Sequence, residues 1–461
     1  MENYKFNLKP KKVEKIKSKH RKIISQIPPK ETVDKIKLMR KYEPESMHSE
    51  LPVLWDRASG YQIFDASGNC WIDFCSGIFV ANVGHSHPKI LKAIENTLKK
   101  PLIHNYYFPS DIRAKLVKKI IEISPKKLNR VFLLTTGTEA TECALKISRI
   151  WGKKINQKKI KIVSFEGAMH GKTLGALMVG GKTKEKHWIG KHDPNIHHLP
   201  FPFPELCPWA KTKDHKCNNE CFNKSINELT KKIKPSNIAS IFIESYHGWG
   251  ALFYPQSYIK ELEKWARKNN ILIIFDEIQA GFGRTGKLFA FEHYKVEPDM
   301  ICCGKGISSG LPLSAVIGKK ELIDIDPSLN STHGGNPVCC AAALANLEVI
   351  QKENLVNESK RKGIILEKEL HKIQCDYPLH IRYVAGKGLV YALHIVNPAT
   401  NERDAYLVDR IIERCMEKGL LMIRTGTGTI KIGPPLMIPD EALYEGIGVL
   451  KDAIKEIINF S

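Results

Sequence analysis

The feature that most constrains the fold of this chain is a regular alternation of strand and helix patterns between residues 110 and 275. The strand patterns are short, nearly continuous apolar runs, which are typical of strands buried on both faces of a parallel sheet. We therefore predict an α/β fold whose ligands bind beyond the carboxyl ends of the strands. The predicted strands are 130–134, 160–165, 239–243 and 271–275, and the predicted helices are 110–123, 138–151 and 256–268.

The pattern differs on both sides of this region. Between Pro52 and Asp73, an Ala-Ser-Gly-Asn turn separates two apolar-aromatic runs and predicts a β-hairpin. A helix pattern over 88–100 begins with Pro88, a favourable first helical residue. The C-terminal third predicts a smaller α+β region, with helices 337–352 and 440–458 and strand-like segments 388–396 and 420–433.

The net charge of the 461-residue chain is +22, and nearly half of it lies in residues 1–41, which hold 14 lysines and arginines against 4 acids. A basic arm of this kind could bind nucleic acid or another anionic surface. It offers few aromatic residues on which bases could stack, so we favour a solvated, lysine-rich extension. Nucleic acid is therefore not expected as a partner.

The hydropathy of the chain bears on its location. No apolar run reaches the ~20 residues that a membrane-spanning helix needs, and the first twenty residues lack the apolar core of a secretory signal. We therefore expect no membrane association and a cytoplasmic chain whose twelve cysteines are reduced.

Three of these cysteines lie close together in a polar stretch. Cys207, Cys217 and Cys221, with His215 beside them, could supply four zinc ligands. Their irregular spacing favours a surface insertion over 207–221 with incidental thiols, so no metal is expected. A structural zinc site is the alternative.

Several residues suited to cofactor chemistry follow the predicted strands. Gly137 and Thr138 open a helix directly after strand 130–134, where free N–H groups can bind a phosphate. Thr136 and Glu139 match a capping box, so plain helix capping is the alternative.

Two further residues and a loop histidine extend this set. Asp276 ends a buried strand, where a carboxylate needs a cation or hydrogen-bond donors. Lys305 stands between two glycines after an apolar run, which would lower its pKa and leave an amine able to attack a carbonyl; a lysine that reaches solvent is the alternative. Together with His170, these parts match the needs of pyridoxal phosphate, which would be held by Lys305 as a Schiff base and by Asp276 at its pyridine nitrogen.

Residues 281–286 match the GxGxxG pattern of dinucleotide-binding proteins. In that pattern the first glycine follows a strand directly and the third opens a helix, whereas here five residues intervene and an apolar run follows. We therefore interpret this segment as an active-site loop and reject a nicotinamide oxidoreductase.

The sequence closely resembles the class III pyridoxal-phosphate aminotransferases of fold type I, over roughly residues 45–458. The motifs that carry the resemblance are GTEA at 137–140, HGKT at 170–173, FDEIQAGFGRTG at 275–286, GKG at 304–306 and THGGNP at 332–337. The resemblance implies an enzyme that moves an amino group from an amino acid or ω-amine to a 2-oxo acid through pyridoxamine phosphate. A racemase, epimerase or lyase on the same fold remains the alternative.

The resemblance also implies a domain organisation. A basic extension (1–41) would precede the N-terminal part of a small domain (42–84). A large cofactor-binding domain with a mostly parallel sheet covered by helices would span 85–335. Residues 336–461 would complete the smaller α+β domain.

The family's site residues transfer to this chain as follows. Lys305 would carry the cofactor and a proton, Asp276 would pair with the pyridine nitrogen, and Gln279 would bind the 3-hydroxyl group. Gly137 and Thr138 would bind the phosphate, and His170 would lie by the cofactor, as would Met169, which replaces an aromatic residue. Thr332 would bind the phosphate from the neighbouring subunit, which implies a homodimer with composite sites.

The chain departs from the family where the substrate binds. Trp249 replaces a glutamate that pairs with an arginine in ornithine- and 4-aminobutyrate-type enzymes, and Lys431 replaces that arginine. Trp249, Ile78 and Phe79 suggest a more apolar pocket than that of an ornithine enzyme. Arg424 is a further candidate carboxylate ligand, although a strand arginine with no such role is favoured.

Overall fold

The computed structural model describes residues 4–48, 51–210 and 215–459. The chain divides into two compact units. The larger unit contains Pro88–Gly248 and Leu252–Asn354; the smaller contains the residues up to His87, Trp249–Ala251 and the residues from Leu355 onward. The domain limits at 85 and 335 that the resemblance implies stay a prediction.

The larger unit is built on a sheet of seven strands in the described part of the chain. One strand, Ser314–Gly318, is antiparallel to both of its neighbours, and the other neighbouring pairs are parallel. The predicted α/β fold with a mostly parallel sheet is therefore confirmed. From one edge to the other, the strands are Arg130–Leu134, Ser314–Gly318, Met300–Cys303, Leu272–Asp276, Ile238–Glu244, Lys161–Phe165 and Ile196–Leu199.

The helix Gly137–Ile155 illustrates how the helices cover this sheet. It begins at Thr136 with the predicted capping box, since the Thr136 hydroxyl accepts from the amide of Glu139 and the Glu139 carboxylate accepts from that of Thr136. Its apolar side chains at helical spacing are buried against strand residues such as Ile274. The other helices of this unit are Pro88–Leu98, Asp111–Ile123, Leu174–Val179, Asn219–Lys232, Gln256–Lys268, Lys320–Ile323 and Pro337–Lys352.

The described residues of the smaller unit form two sheets. In the first, Gln62–Phe64 pairs antiparallel with Cys70–Asp73, which confirms the predicted hairpin. The strand order is Ile16–Lys17, Lys22–Ile23, Cys70–Asp73, Gln62–Phe64 and Arg57–Ser59, and Leu420–Leu421 pairs with Cys70–Asp73. The second sheet has the order Ile381–Lys387, Val390–Ile395, Thr429–Ile432 and Ile423–Arg424. The helices are Lys30–Tyr42, the short Ser76–Phe79, Leu355–Asp376, Ala405–Glu417 and Asp440–Asn459.

The segment 420–433 forms three short strands instead of one strand-like run. Gly426 and Gly428 have φ angles of 66° and 72°, so the chain turns between Ile423–Arg424 and Thr429–Ile432.

The basic N-terminal segment differs from the expected solvated extension. Ile23 and Ile27 are buried in one cluster with Trp71, and Lys22 pairs with Cys70 in the first sheet. Lysines alternate here with apolar side chains that point into the core, and a count of charges does not reveal this pattern. Across the described residues, no helix combines the length and the apolar character needed to cross a membrane.

Candidate active site

Three neighbouring strands of the large sheet end in polar residues at the same edge. Asp276 lies opposite Glu244 on one side and opposite Cys302 on the other, and Lys305 follows three residues after Cys302. Both carboxylates are buried, with 6% and 7% of the residue surface exposed. Parallel pairing therefore brings two carboxylates and the lysine segment together beyond the carboxyl ends of the strands, where α/β sheets bind ligands.

His170 fixes the orientation of the Asp276 carboxylate. The imidazole Nδ1 lies 2.8 Å from Asp276 Oδ2, and Nε2 lies 3.2 Å from the hydroxyl of Ser164. A carboxylate accepts, so Nδ1 donates the hydrogen bond. The second oxygen, Oδ1, accepts from the amide of Ile278 at 3.0 Å. Each carboxylate oxygen thus has a donor before any ligand binds.

Lys305 begins a short turn after its strand. Its φ angle of 43° is left-handed, and Asn346 donates to the carbonyls of Gly306 and Ile307, each at 2.9 Å, which holds the turn in place. Within the described ranges, the Lys305 amine makes no hydrogen bond or ion pair. Burial lowers the pKa of this amine, and the carboxylates of Asp276 and Glu244 partly oppose that shift.

Glu244 is a buried acid that the sequence-based site did not include. Burial raises its pKa to about 7; the nearby His170 opposes the shift and Asp276 adds to it. Its carboxylate accepts from the amide of Met169 at 3.0 Å and from that of Gly248 at 3.2 Å. Glu244 therefore fixes the loop before His170. The signal that could have found it is its place at the end of a buried apolar run, which it shares with Asp276.

The start of helix Gly137–Ile155 lies close to the lysine turn. A Cβ added at Gly137 would lie 2.8 Å from the Ile278 side chain, and one added at Gly304 would lie 3.1 Å from the same methyl group. Among the described residues, the amides of Gly137 and Thr138 have no acceptor. These two N–H groups at a helix start form a site suited to an anion.

The Thr138 hydroxyl belongs to a short chain of hydrogen bonds. Thr173 donates to the Glu142 carboxylate at 2.6 Å, and its oxygen lies 2.6 Å from the Thr138 hydroxyl. Glu142 also accepts from the amide of Ala176 at 3.0 Å. This chain ties the helix start to the loop that follows His170.

The remaining cofactor candidates lie in the same unit. The Gln279 side-chain oxygen accepts from the Tyr246 hydroxyl at 3.1 Å. Thr332 is exposed in the loop that precedes helix Pro337–Lys352, and it takes no part in the hydrogen bonds among the residues described here. The structure therefore gathers all of the cofactor candidates except Thr332 into connected elements.

Glu277, a second acid that the sequence-based site did not include, holds the turn that follows the loop 281–286. Its carboxylate accepts from the Ser245 hydroxyl and, at 2.8 Å each, from the amides of Ala290 and Phe291. Burial raises its pKa to about 8. The loop leads into the short turn Ala290–Tyr294 and opens no α-helix, which agrees with the rejection of a dinucleotide motif.

The substrate candidates lie in the smaller unit. The Lys431 amine lies 4.2 Å from the centre of the Phe79 ring, and Ile78, next to Phe79, is about half exposed. The guanidinium of Arg403, which sequence reasoning missed, lies 4.2 Å from the centre of the Trp249 ring. The structure thus forms two pairs, each of a cation and an aromatic ring.

Arg424 is occupied by another partner. Its guanidinium donates to both oxygens of the buried Asp409 carboxylate, at 2.8 and 3.0 Å. A bidentate pair of this kind uses the face that a substrate carboxylate would need, so the structure favours the strand arginine without a substrate role.

The metal candidates form a cluster of their own in the larger unit. One side-chain ligand atom from each of Cys207, His215, Cys217 and Cys221 lies within 4.8 Å of the others. The structure therefore brings together four residues that the sequence left as incidental.

Comparisons with known proteins identify the family of this chain. The sequence profile of the family described as "Aminotransferase class-III" matches residues 44–454. The alanine/serine racemase of Pyrococcus horikoshii is 32% identical and covers 98% of this chain and 96% of its own length. The 4-aminobutyrate aminotransferase of Mycobacterium leprae is 31% identical over 93% of this chain and 97% of its own.

A solved structure gives the same result at the level of the fold. It is the ornithine aminotransferase of Toxoplasma gondii with pyridoxal phosphate at partial occupancy in its active site. The two chains share 27% identity and a TM-score of 0.81, covering 94% of this chain and 96% of the other. This chain belongs to the class III aminotransferases, enzymes of fold type I that use pyridoxal phosphate.

Proposed function

We propose that this aminotransferase binds pyridoxal phosphate at the carboxyl edge of its large sheet and moves an amino group from an amino acid or ω-amine to a 2-oxo acid. The observation that carries the proposal is the placement of Asp276 and the Lys305 turn on neighbouring strands. A buried, oriented carboxylate and an amine of lowered pKa are the two groups that this cofactor requires at its ring nitrogen and its aldehyde.

The groups in the structure fit the cofactor. Gly137 and Thr138 offer two amide N–H groups without acceptors in the described part of the chain, which suits the phosphate. Gln279 lies next to this edge and would bind the 3-hydroxyl group. When bound, pyridoxal phosphate withdraws electrons from the substrate carbon that bears the amino group, so that its proton becomes acidic.

Asp276 has the task of keeping the pyridine nitrogen protonated. Its Oδ2 is held by His170 and its Oδ1 by the Ile278 amide, so the carboxylate does not need to reorient when the cofactor binds. A preoriented carboxylate would stabilise the positive charge of the protonated ring, and the protonated ring is the group that draws electrons from the substrate. In our proposal, His170 acts through Asp276 and is a positioning residue.

Lys305 has two tasks in the proposal. Its amine would hold the cofactor covalently, and once free it would carry a proton between the substrate's Cα and the cofactor's C4′. Both tasks need a neutral amine, and burial of the side chain increases the neutral fraction because it lowers the pKa.

A homodimer is part of this proposal. The family resemblance assigns Thr332 to the phosphate of the neighbouring subunit, and Thr332 is exposed in this chain. A second subunit would therefore complete each site.

We also propose a cytoplasmic location, because all twelve cysteines are free of disulfide bonds, as expected in a reducing compartment. Recovery of the protein in a secreted fraction would contradict this location.

Trp249, Lys431, Ile78 and Phe79 are proposed substrate contacts. The family's glutamate–arginine pair is replaced at both positions, and Lys431 faces an aromatic ring. A lysine cannot make the bidentate contact of an arginine with a carboxylate. We therefore expect donors with apolar side chains to be preferred over ornithine.

A racemase is the second candidate, because a relative with that name matches almost the whole chain. A half-reaction separates the two functions. The holoenzyme is mixed with L-alanine, L-leucine, L-ornithine or 4-aminobutyrate, without an acceptor, while its absorbance and the release of 2-oxo acid or aldehyde are followed.

An aminotransferase converts its cofactor to the amine form and releases about one carbonyl product per site, a 2-oxo acid from an α-amino group or an aldehyde from an ω-amino group. Adding pyruvate or 2-oxoglutarate should then restore the starting spectrum. A racemase instead interconverts the L and D forms, keeps its spectrum and releases no 2-oxo acid, and this result would overturn amino transfer as the function.

A further inference from the structure

Four potential metal ligands converge in the segment that leads into helix Asn219–Lys232. The Sγ atoms of Cys207 and Cys221 are 3.7 Å apart, and Cys221 Sγ lies 3.2 Å from the Nε2 of His215. With Cys217, all four ligand atoms lie within 4.8 Å of one another. From this geometry we propose a structural zinc site formed by Cys207, His215, Cys217 and Cys221.

The distances suit a tetrahedral ion. Zn–S bonds of about 2.3 Å and Zn–N bonds of about 2.0 Å place tetrahedral sulfur ligands about 3.8 Å apart, and a sulfur and a nitrogen about 3.5 Å apart. The sulfur–sulfur and sulfur–nitrogen distances of the cluster are close to these values. Three thiols and one imidazole are a donor set that selects zinc over harder ions such as magnesium or calcium.

The surroundings of the cluster favour a structural ion over a catalytic one. All three cysteines are at least 92% buried and pack with Trp209 and Ala210. Four protein ligands would fill a tetrahedral shell and leave no position for water or substrate. Among the residues that the structure describes, none of the four hydrogen-bonds to Asp276 or to its partners His170 and Ile278.

The position of Cys221 indicates what such an ion would hold together. Cys221 lies in the first turn of helix Asn219–Lys232, whose N-cap residue Asn218 accepts from the amides of Glu220 and Cys221. The adjacent Phe222 contacts Tyr258 in helix Gln256–Lys268, with ring centres 5.4 Å apart. Zinc would therefore link the irregular segment that contains Cys207 to two helices of the larger unit.

A disulfide is the competing use of these thiols. The 3.7 Å between the Cys207 and Cys221 sulfurs is far longer than the ~2.05 Å of an S–S bond. Such a bond would also leave Cys217 and His215 without a common role, whereas a metal ion engages all four residues.

The first experiment measures zinc in the wild-type holoenzyme, purified from zinc-supplemented cells without chelators. We expect elemental analysis by mass spectrometry to find about one zinc ion per chain. X-ray absorption at the zinc edge should report three sulfur ligands near 2.3 Å and one nitrogen near 2.0 Å. Exchange with Co²⁺ should give the visible absorption of a tetrahedral thiolate site.

Variants then assign the ion to these residues. Cys221→Ser and His215→Ala should retain less than about a tenth of the zinc and unfold at a lower temperature than wild type. Cys375→Ser is the matched control, because Cys375 is an exposed thiol in the other unit and should leave the zinc content unchanged. The cofactor absorbance should be the same in every variant that folds.

Three results would overturn the proposal, and the first two come from the wild-type holoenzyme, which does not depend on whether a variant folds. One is a protein that retains less than about a tenth of an equivalent of zinc after incubation with Zn²⁺ and dialysis. Another is peptide mapping that finds a Cys207–Cys221 disulfide in the native enzyme. The third is an unchanged zinc content in folded Cys221→Ser and His215→Ala.

Discussion

The Nδ1 of His170 donates to Asp276 Oδ2 over 2.8 Å, and both side chains are buried. This contact, with the Ser164 hydroxyl on the other ring nitrogen, fixes the acid that our proposal assigns to the cofactor's ring nitrogen. We expect His170→Asn to lower kcat by about ten- to a hundredfold, as is typical when a residue that orients a functional group is lost. His187→Asn, at an exposed position, is the control. Steady-state kinetics on variants with matched cofactor content would measure the change in kcat. An unchanged kcat in His170→Asn would contradict the positioning role.

Asp276→Asn should have a larger effect. The amide keeps the shape of the side chain but cannot hold a proton on the pyridine nitrogen, so the electron-withdrawing effect of the ring is weakened. We expect kcat to fall by about a hundredfold or more while the cofactor stays bound. Single-turnover kinetics and the cofactor absorbance together distinguish this result from simple loss of the cofactor. A variant with the wild-type rate would refute the assigned role.

Lys305→Ala should abolish the covalent attachment of the cofactor. After reduction with borohydride, the wild-type peptide containing Lys305 should carry the cofactor mass, and the variant should carry none. Activity should fall by about a thousandfold or more. Lys287→Ala, at an exposed position of a nearby loop, should behave like wild type. If Lys305→Ala retained full activity, another residue would have to carry the cofactor.

Glu244 predicts a pH-dependent stability. Its pKa is raised from 4.5 to about 7 in the folded chain, so between these values the folded state keeps a proton that the unfolded chain has released. The free energy of unfolding of the wild type should therefore fall as the pH rises from 4.5 to about 7. Above that pH, Glu244 should cause no further loss of stability.

Glu244→Gln does not titrate, so its free energy of unfolding relative to wild type should rise by on the order of 2–3 kcal/mol across that window. Denaturant unfolding between pH 4.5 and 8 measures this difference for Glu244→Gln and for the exposed control Glu402→Gln. A difference that did not change with pH would show that the acid is not perturbed.

A composite site predicts complementation between two defective subunits. Lys305→Ala inactivates a subunit's own site, whereas Thr332→Ala weakens the neighbour's site. A mixed dimer of the two variants therefore contains one site with both changes and one with neither. Co-expression with two affinity tags should give mixed dimers with about half of the wild-type activity. If Thr332 instead acts within its own subunit, the only working site of the mixed dimer carries the Thr332→Ala change. The activity of the mixed dimer would then be no higher than that of one site of the Thr332→Ala homodimer.

The sequence was sufficient for the parts of the fold that depend on local pattern. The strands ending at Leu134 and Asp276 and the capping box at Thr136 follow from apolar runs and from residue types at fixed spacing. The antiparallel strand Ser314–Gly318 does not, because its direction depends on pairing with Arg130–Leu134, far away in the chain. The burial of Ile23 beside Trp71 could not be predicted either, because it also depends on contact between residues far apart in the chain.

The site residues also fall into two groups, those that local sequence pattern predicts and those that only the folded chain brings together. Asp276 and Lys305 stand out because a charged residue after an apolar run is unusual enough to require a reason. The hydrogen bond between His170 and Asp276 joins a loop residue to a strand end 106 residues away, and only the folding of the sheet brings the two together. The convergence of His215 with three cysteines is likewise a property of the folded chain, because their irregular spacing resembles no simple zinc motif.

Ile278 fills the narrow space between Gly137 and Gly304, and its backbone amide donates to Asp276. A methyl group at Gly137 would lie 2.8 Å from the isoleucine side chain, so Ile278 would have to shift. That shift would disturb the strand end that carries Asp276, because the Ile278 amide donates to this acid. Alanine at 137 is therefore compatible with this architecture only when residue 278 is trimmed at the same time. A larger residue at 137 or 304 thus needs a smaller side chain at 278.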